Sequence, residues 1–193
     1  MATRSLFQNF ANGFRLIDGT YLNKLFGGDL AITPAIAAGL GGSAVNPAGV
    51  LSVNTTSNGN TAVTSEEILM SYSLPAKTLS ATGKGIKIRA WGTTAANADN
   101  KTIKLYFGSA VITTPTAATN NKGWEVELEV FRTGSGTQVV FGKGQVDTTN
   151  VTPLVTTGTE TDTGAITIKV TGTAGTANAN DIVAKGLIIE MLN

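Results

Sequence analysis

Three glutamates occupy every second position of one apolar segment, and they are the residues best suited to chemistry in this chain. Glu125, Glu127 and Glu129 alternate with apolar side chains between Trp124 and Val130. Paired carboxylates can act as a catalytic acid pair or hold a cation. Same-face side chains of a strand, however, lie about 6.5 to 7 Å apart, and such sites usually gather groups from different elements. The spacing therefore favours a solvated or intersubunit charge ladder.

Positive side chains repeat with the same period elsewhere. Lys87 and Arg89 alternate with isoleucines, and Lys104 alternates with Ile103 and Leu105. We predict that Lys87, Arg89 and Lys104 form a cationic counterpart of the glutamate ladder, because alternate side chains of a strand share one face. Ladders of opposite sign pair across strands or across a subunit boundary.

The chain contains neither histidine nor cysteine. This composition removes disulfides, thiolate nucleophiles and the imidazole that most often serves as base or metal ligand. The glycine-rich segments near Gly39 and Phe141 lack the phosphate-binding pattern GxxxxGK[ST], and no serine or threonine has an evident base. We predict that the protein is not an enzyme and that it uses no cofactor and no metal.

Four aromatic residues of predicted strands offer a second kind of site. Tyr72, Trp91, Tyr106 and Trp124 would suit a platform for sugar rings if two of them were coplanar and exposed. Aromatic residues in strands more commonly fill a core or an interface. Packing is therefore the favoured interpretation of these four side chains.

Overall composition limits the partners. Only 14% of the 193 residues are charged and the net charge is +1, so the electrostatic attraction that drives binding to nucleic acid or anionic membranes is small. The longest apolar stretch, at 31–42, is too short to span a membrane and is interrupted by Pro34. The first residues do not resemble a targeting signal. We expect a soluble protein made in the cytoplasm.

The elements that position these residues are strands. Between Gly85 and Gly108 two runs alternate aliphatic with charged or aromatic side chains, which predicts Ile86, Ile88, Ile103, Leu105 and Phe107 in the core. Turn-forming residues separate similar runs along the rest of the chain. The fold class is all-β, an antiparallel β-sandwich or jelly roll of about eight strands. The predicted strands are 51–53, 66–74, 85–91, 101–112, 124–132, 138–146, 166–171 and 182–191, with a candidate edge strand at 151–155.

Two local patterns refine this organisation. The segment from Arg132 to Gln138, RTGSGTQ, predicts a short hairpin. The sequence GTTAANADN at 92–100 is similar to GTAGTANAN at 172–180, and each leads from one predicted strand into another. A shared turn composition explains this similarity more simply than a duplicated half-domain. We expect the two loops at one end of the sandwich.

Residues 1–50 differ from the remainder and are predicted to form an N-terminal arm and linker, followed by a β-sandwich domain at 51–193. Apolar side chains recur at spacings of three and four, as on one or two short helices. The arm either packs on its own domain or reaches a neighbouring subunit, because so much apolar surface needs cover. Its candidate contact residues are Phe7, Phe10, Phe14, Tyr21 and Phe26.

The segment from Tyr72 to Gly108 resembles one found in bacteriophage virion structural proteins. It contains Leu-Pro-Ala-Lys-Thr-Leu, then the strand GIKIRAWG, an Ala-Asn-rich loop and KTIKLYFG in that order. The segment RLIDGTYLNKLFG at 15–27 is similar to the start of such proteins. The resemblance implies a jelly-roll-like domain and a homotrimeric decoration or cement protein on the capsid exterior. Its partners would be itself and the major capsid protein or other virion proteins, without nucleic acid or membrane. Its location would be the virion.

Two other functions remain as alternatives. The first is a receptor-binding or carbohydrate-binding protein of the tail or baseplate, and the second is a sandwich glycosidase or lyase. A structural protein binds through area, apolar surface and complementary charge, which suits the features above. The candidate interface residues outside the arm are Tyr72, Lys87, Arg89, Trp91, Lys104, Tyr106, Glu125, Glu127 and Glu129.

Overall fold

The computed structural model describes residues 49–193. The predicted arm, its short helices and its five aromatic contact residues lie outside this range. Within it the chain is all-β, with twelve strands and no helix, so no described helix is long enough to cross a membrane. The strands are β1 (Val50–Asn54), β2 (Asn58–Gly59), β3 (Glu67–Leu74), β4 (Gly85–Thr94), β5 (Asn100–Phe107), β6 (Ala110–Thr113), β7 (Ala117–Ala118), β8 (Gly123–Gly134), β9 (Thr137–Val146), β10 (Thr149–Gly158), β11 (Ile166–Ala174) and β12 (Ile182–Met191).

The strands form two antiparallel sheets. The larger sheet has seven strands in the order β1, β12, β4, β8, β9 and β10, with β2 also paired to β12. The smaller sheet has five strands in the order β3, β11, β5 and β6, with β7 also paired to β5. The chain therefore crosses between the sheets several times, and β12 returns beside β1.

One apolar core lies between the sheets. Ile86 and Ile88 of the larger sheet and Ile103, Leu105 and Phe107 of the smaller sheet are all fully buried, as the alternation predicts. Each of these side chains belongs to the same buried cluster. Because successive strand residues face opposite sides, the intervening charged residues must lie on the two outer faces.

The number of strands predicted from the sequence was too low. The predicted strand at 101–112 is a hairpin of β5 and β6, because Gly108 has a φ of +54° and turns the chain. Apolar residues alternate with other residues on both sides of Gly108, so the sequence pattern alone does not reveal the turn. The two-residue strands β2 and β7 also lack any sequence pattern. The predicted RTGSGTQ hairpin joins β8 and β9, and β10 is an edge strand, so both of these predictions are confirmed.

The two similar loops do lie together, as predicted. The amide N–H of Gly175 donates to the carbonyl of Asn100 at 2.7 Å, and Asn178 Nδ2 donates to Asp99 Oδ2 at 2.9 Å. Their polar side chains therefore bond to each other and cap one end of the core.

Gly92 lies at this same end and allows two elements to approach closely. A methyl group at Gly92 would clash with the Val183 carbonyl oxygen and with the Trp124 ring. We expect Gly92→Ala to lower the free energy of unfolding by about 1 to 3 kcal/mol, because backbone and a buried ring must both shift. Urea unfolding of the full-length protein measures this change.

Gly164 provides the matched control. It is exposed, and no atom lies within 4 Å of the added methyl position. Gly164→Ala should change the free energy of unfolding by less than about 0.5 kcal/mol. Equal effects of the two substitutions would contradict the close packing at Gly92.

Candidate functional site

Opposite charges meet across β4 and β8 on the outer face of the larger sheet. Lys87 lies opposite Glu129 and Arg89 opposite Glu127 in the strand register. Lys87 Nζ is 2.9 Å from Glu127 Oε2 and 3.9 Å from Glu129 Oε1. The predicted pairing of the two ladders across strands is therefore confirmed for this face. We call the group the ionic lattice: Lys87, Arg89, Glu125, Glu127, Glu129 and Lys143.

Glu127 is the centre of the lattice. Its side chain is only 6% exposed and lies between two ammonium groups, since Lys143 Nζ is 3.0 Å from its second oxygen. Burial alone would raise the pKa of Glu127, but the adjacent ammonium groups of Lys87 and Lys143 outweigh it and hold the pKa below its ordinary value. This carboxylate stays ionised and bonded, which suits a fixed structural charge better than a proton donor.

Lys143 was not among the residues predicted from the sequence. It lies in β9 directly opposite Glu127, within a segment that alternates Phe141, Lys143 and Gln145. The predicted hairpin between β8 and β9 fixes this register, so the pairing follows once the turn position is applied to the alternation.

A shallow groove of about 410 Å³ opens on this face where the pairing of β9 and β10 is interrupted between Val151 and Leu154. A neighbouring groove of about 330 Å³ shares Glu125 and Gln145 with it and extends to Trp91. Carboxylate and amide groups line both grooves, Lys143 adds an ammonium group to the first, and such groups bond polar ligands. The first is lined by Glu125, Glu127, Lys143, Gly144, Gln145, Asn150, Val151 and Pro153.

Trp91 does not present a free ring face. A methyl group at Gly186 would clash with the indole, so the ring packs closely on the backbone of β12. The Arg89 guanidinium lies over the Trp91 ring at 5.5 Å from its centroid. The indole therefore contacts both a glycine of β12 and a cation, and we interpret it as packing surface for the lattice.

The other three predicted aromatic residues lie elsewhere. Trp124 is buried at 3% exposure, and Tyr72 packs against the core from the edge strand β3. Tyr106 is half-buried on the outer face of the smaller sheet. The four aromatic residues therefore form no shared platform, and Tyr72 does not lie on an outer face with Trp91 or Tyr106.

A second ionic cluster lies on the outer face of the smaller sheet. Glu66 accepts hydrogen bonds from Lys104 Nζ at 2.6 Å, the Tyr106 hydroxyl at 2.7 Å and the Thr171 hydroxyl at 2.7 Å. Burial alone would raise the pKa of Glu66, but these three donors lower it from 4.5 to about 2. Lys169 adds a cation 4.6 Å from the Tyr106 ring centroid. Three donors from β5 and β11 therefore hold the Glu66 carboxylate in place.

The predicted cationic ladder is thus divided. Lys87 and Arg89 belong to β4 in the larger sheet, whereas Lys104 belongs to β5 in the smaller one. The expectation that these residues share one face was wrong, because β4 pairs with β12 and β5 pairs with β11. The candidate interface residues consequently lie on opposite outer faces.

An apolar patch adjoins the lattice at β10, the edge strand of the larger sheet among residues 49–193. Val155 of the edge strand β10 is 71% exposed and lies opposite Phe141, while Val139 is 39% exposed and lies opposite Phe131. We call Phe131, Val139, Phe141 and Val155 the apolar patch. Exposed apolar side chains next to an unpaired strand edge are typical of a protein contact surface.

No group of three or more acidic residues in residues 49–193 is arranged to hold a metal ion. The central glutamate of each cluster is ion-paired, Glu127 with Lys87 and Lys143 and Glu66 with Lys104.

No known protein family matches the sequence, and no curated protein does. Two solved structures are similar in part. The CBM2 module of the Lactobacillus casei BL23 phage J-1 evolved Dit has a TM-score of 0.35 and 8% identity over 62% of this chain and 67% of that one. The PL-14 alginate lyase from Aplysia kurodai has a TM-score of 0.35 and 8% identity over 85% of this chain and 96% of that one. Similarity at this level assigns neither family nor activity.

The low pKa of Glu66 predicts that the stability of the protein falls at acid pH. Its folded pKa of about 2 lies below the ordinary 4.5, so the ionised form contributes stability above pH about 4.5 that is lost as pH falls towards about 2. Glu66→Gln should therefore destabilise the protein at neutral pH and make little difference near pH 2. Urea midpoints across this range measure the effect. Glu125→Gln, at an exposed pair of 4.0 Å, should show a much smaller change.

The lattice predicts a measurable coupling between Lys87 and Glu127. A double-mutant cycle with Lys87→Met and Glu127→Gln should give a coupling free energy of about 1 to 3 kcal/mol, because Glu127 is nearly buried. The same cycle for Arg89 and Glu125, which are 45% and 54% exposed, should give less than about 0.5 kcal/mol. Similar couplings for the two pairs would refute the central role of Glu127.

Proposed function

We propose that this protein is a structural component of a bacteriophage virion, and more specifically a decoration protein that binds the capsid exterior as a homotrimer. The observation that carries the proposal is the apolar patch beside the ionic lattice, since together they offer area, apolar side chains and fixed charges on one face. Such a surface suits binding between proteins and requires no chemistry. The protein is accordingly proposed to be no enzyme.

The sequence resemblance over Tyr72–Gly108 supports the same proposal. In the structure this segment forms β4, β5 and the loop between them, together with the last residues of β3. The aliphatic residues of its strands are core, and Lys87, Arg89 and Lys104 lie on the two outer faces. The resemblance therefore coincides with the part of the chain that builds both sheets.

We also infer that the sandwich is a jelly roll. If β2, β7 and the hairpin of β9 and β10 are set aside, the larger sheet has the order β1, β12, β4, β8 and the smaller sheet β3, β11, β5, β6. In both sheets the late strands β12 and β11 lie between early ones. This is the connectivity of two Greek keys wound together.

A receptor-binding or carbohydrate-binding role is the second candidate. The two connected grooves along Glu125 and Gln145 favour it, since acid and amide side chains are suited to sugar hydroxyls. The covered ring of Trp91 disfavours it, because stacking on a sugar would require Arg89 to move.

The apolar patch predicts the oligomeric state. The full-length protein should have three times its chain mass of 19.8 kDa in light scattering at micromolar concentration. Val155→Glu should yield folded monomers with an unchanged circular dichroism spectrum, because the side chain is exposed and the charge opposes burial between subunits. Val63→Glu, at an exposed site away from the patch, should remain trimeric. A monomeric unsubstituted protein would overturn the trimer.

Location on the particle is tested separately with gold-labelled antibodies on purified virions. Label distributed over the heads is expected. Label confined to tails would overturn capsid decoration and support the receptor-binding alternative, and particles without label would refute a virion role.

A further inference from the structure

One lysine of the sandwich is enclosed completely. Lys101, at the start of β5, is 1% exposed, and its ammonium group points into the loop that precedes it. Its Nζ donates to Asn97 Oδ1 at 2.6 Å, to the Asp99 carbonyl at 2.9 Å and to the Asn97 carbonyl at 3.4 Å. Buried lysines normally contact a carboxylate. The side-chain group that Lys101 contacts here is an amide.

An aspartate contacts the nitrogen of the same Asn97 amide. Asp181, just before β12, is 1% exposed, and its Oδ1 accepts from Asn97 Nδ2 at 2.6 Å. Its Oδ2 is buried and has no hydrogen-bond partner in the part of the chain that the structure describes. An ammonium only donates and a carboxylate only accepts, so just one orientation of the Asn97 amide satisfies both neighbours.

This arrangement places a nucleophile against an electrophilic carbon. A carbonyl bond is about 1.23 Å long, so Lys101 Nζ lies within about 3.8 Å of Asn97 Cγ. Reacting atoms held about 3 to 3.5 Å apart gain the advantage of an intramolecular reaction. A buried carboxylate in contact with the leaving nitrogen supplies the proton carrier that such a reaction needs.

We propose that Lys101 and Asn97 join in an intramolecular isopeptide bond, formed by the folded protein itself with Asp181 as the catalytic acid and base. The site is distinct from the ionic lattice and the Glu66 cluster, because it lies at the loop end of the sandwich. It needs no cofactor or other reactant.

The reaction balances with ammonia as the leaving group. Asp181 accepts one proton from the Lys101 ammonium across the Asn97 amide. The neutral amine attacks Asn97 Cγ, and the carbonyl electron pair moves to Oδ1. Asp181 then gives its proton to Nδ2, the bond between Cγ and Nδ2 breaks with its electron pair on nitrogen, and ammonia leaves. The carbonyl re-forms, and the second amine proton passes to Asp181.

The product is favoured by its burial. The starting state holds a buried ammonium and a buried carboxylate, whereas the product holds an amide and a neutral carboxylic acid. Removing uncompensated charge from an enclosed site is favourable. The bond would also close a ring of residues 97–101 at the loop between β4 and β5, whose Asp99 is already hydrogen-bonded to Asn178 of the similar loop.

Mass spectrometry of the full-length protein tests the proposal. The intact mass should fall short of the sequence mass by one ammonia, and the deficit should persist in denaturant because the bond is covalent. Trypsin should fail to cut after Lys101, giving a peptide 90–104 that lacks one ammonia. The sequence mass together with efficient cleavage after Lys101 would overturn the proposal.

Three variants distinguish the isopeptide bond from other causes of the mass deficit. Lys101→Arg should have the full mass calculated from its own sequence. Lys104→Arg, on the same strand but on the outer face, should still lack one ammonia. Asp181→Asn should form the bond about 100-fold more slowly or less completely.

A succinimide at Asn97 also loses ammonia. It would still form in Lys101→Arg and would leave cleavage after Lys101 intact in the unsubstituted protein, and either result would refute the isopeptide bond. Urea midpoints of each variant confirm that it is folded.

Discussion

The single apolar layer between the two sheets determines where the charges of this protein lie. Ile88 and Leu105 are fully buried in it, from opposite sheets, and every alternate position along their strands is sent to an outer face. An outer face cannot share charges with the other face through the core, so each must neutralise its own. Glu127 does so for the larger sheet and Glu66 for the smaller one. Two separate ionic systems are therefore a direct result of one core.

At one end of the sandwich a charged side chain occupies an inward-facing position. Lys101 occupies an inward-facing position, but it stands where β5 begins, and its ammonium reaches beyond the apolar layer into the loops. Buried charge there requires polar neighbours, and the Asn- and Asp-rich loops supply them. This accounts for the similar composition of the two loops better than a duplicated half-domain does, because each contributes acceptors to one shared network.

Local pattern was sufficient for much of this structure. The burial of Ile86 and Phe107, the hairpin at 132–138 and the contact between the two loops all followed from alternation and turn residues. The assignment of strands to sheets did not follow from local pattern. The strands β4 and β5 belong to different sheets because they pair with β12 and β11, which lie near the end of the chain. Lys104 was misplaced for this reason, and Glu66 was missed because its three donors come from β5 and β11. The contact of Asn97 with Asp181 likewise depends on distant segments.

The alternation of charge across the ionic lattice also affects how partners meet. Cations of β4, anions of β8 and the cation of Lys143 follow one another at the spacing of neighbouring strands, about 4.7 to 4.9 Å. Fields from such closely alternating charges cancel within a few ångströms, and the net charge of +1 adds little at long range. Encounter at this face is thus governed by diffusion and orientation without electrostatic steering. If this face binds a partner as proposed, association rates should depend weakly on ionic strength, and the apolar side chains beside the lattice should set the lifetime of the contact.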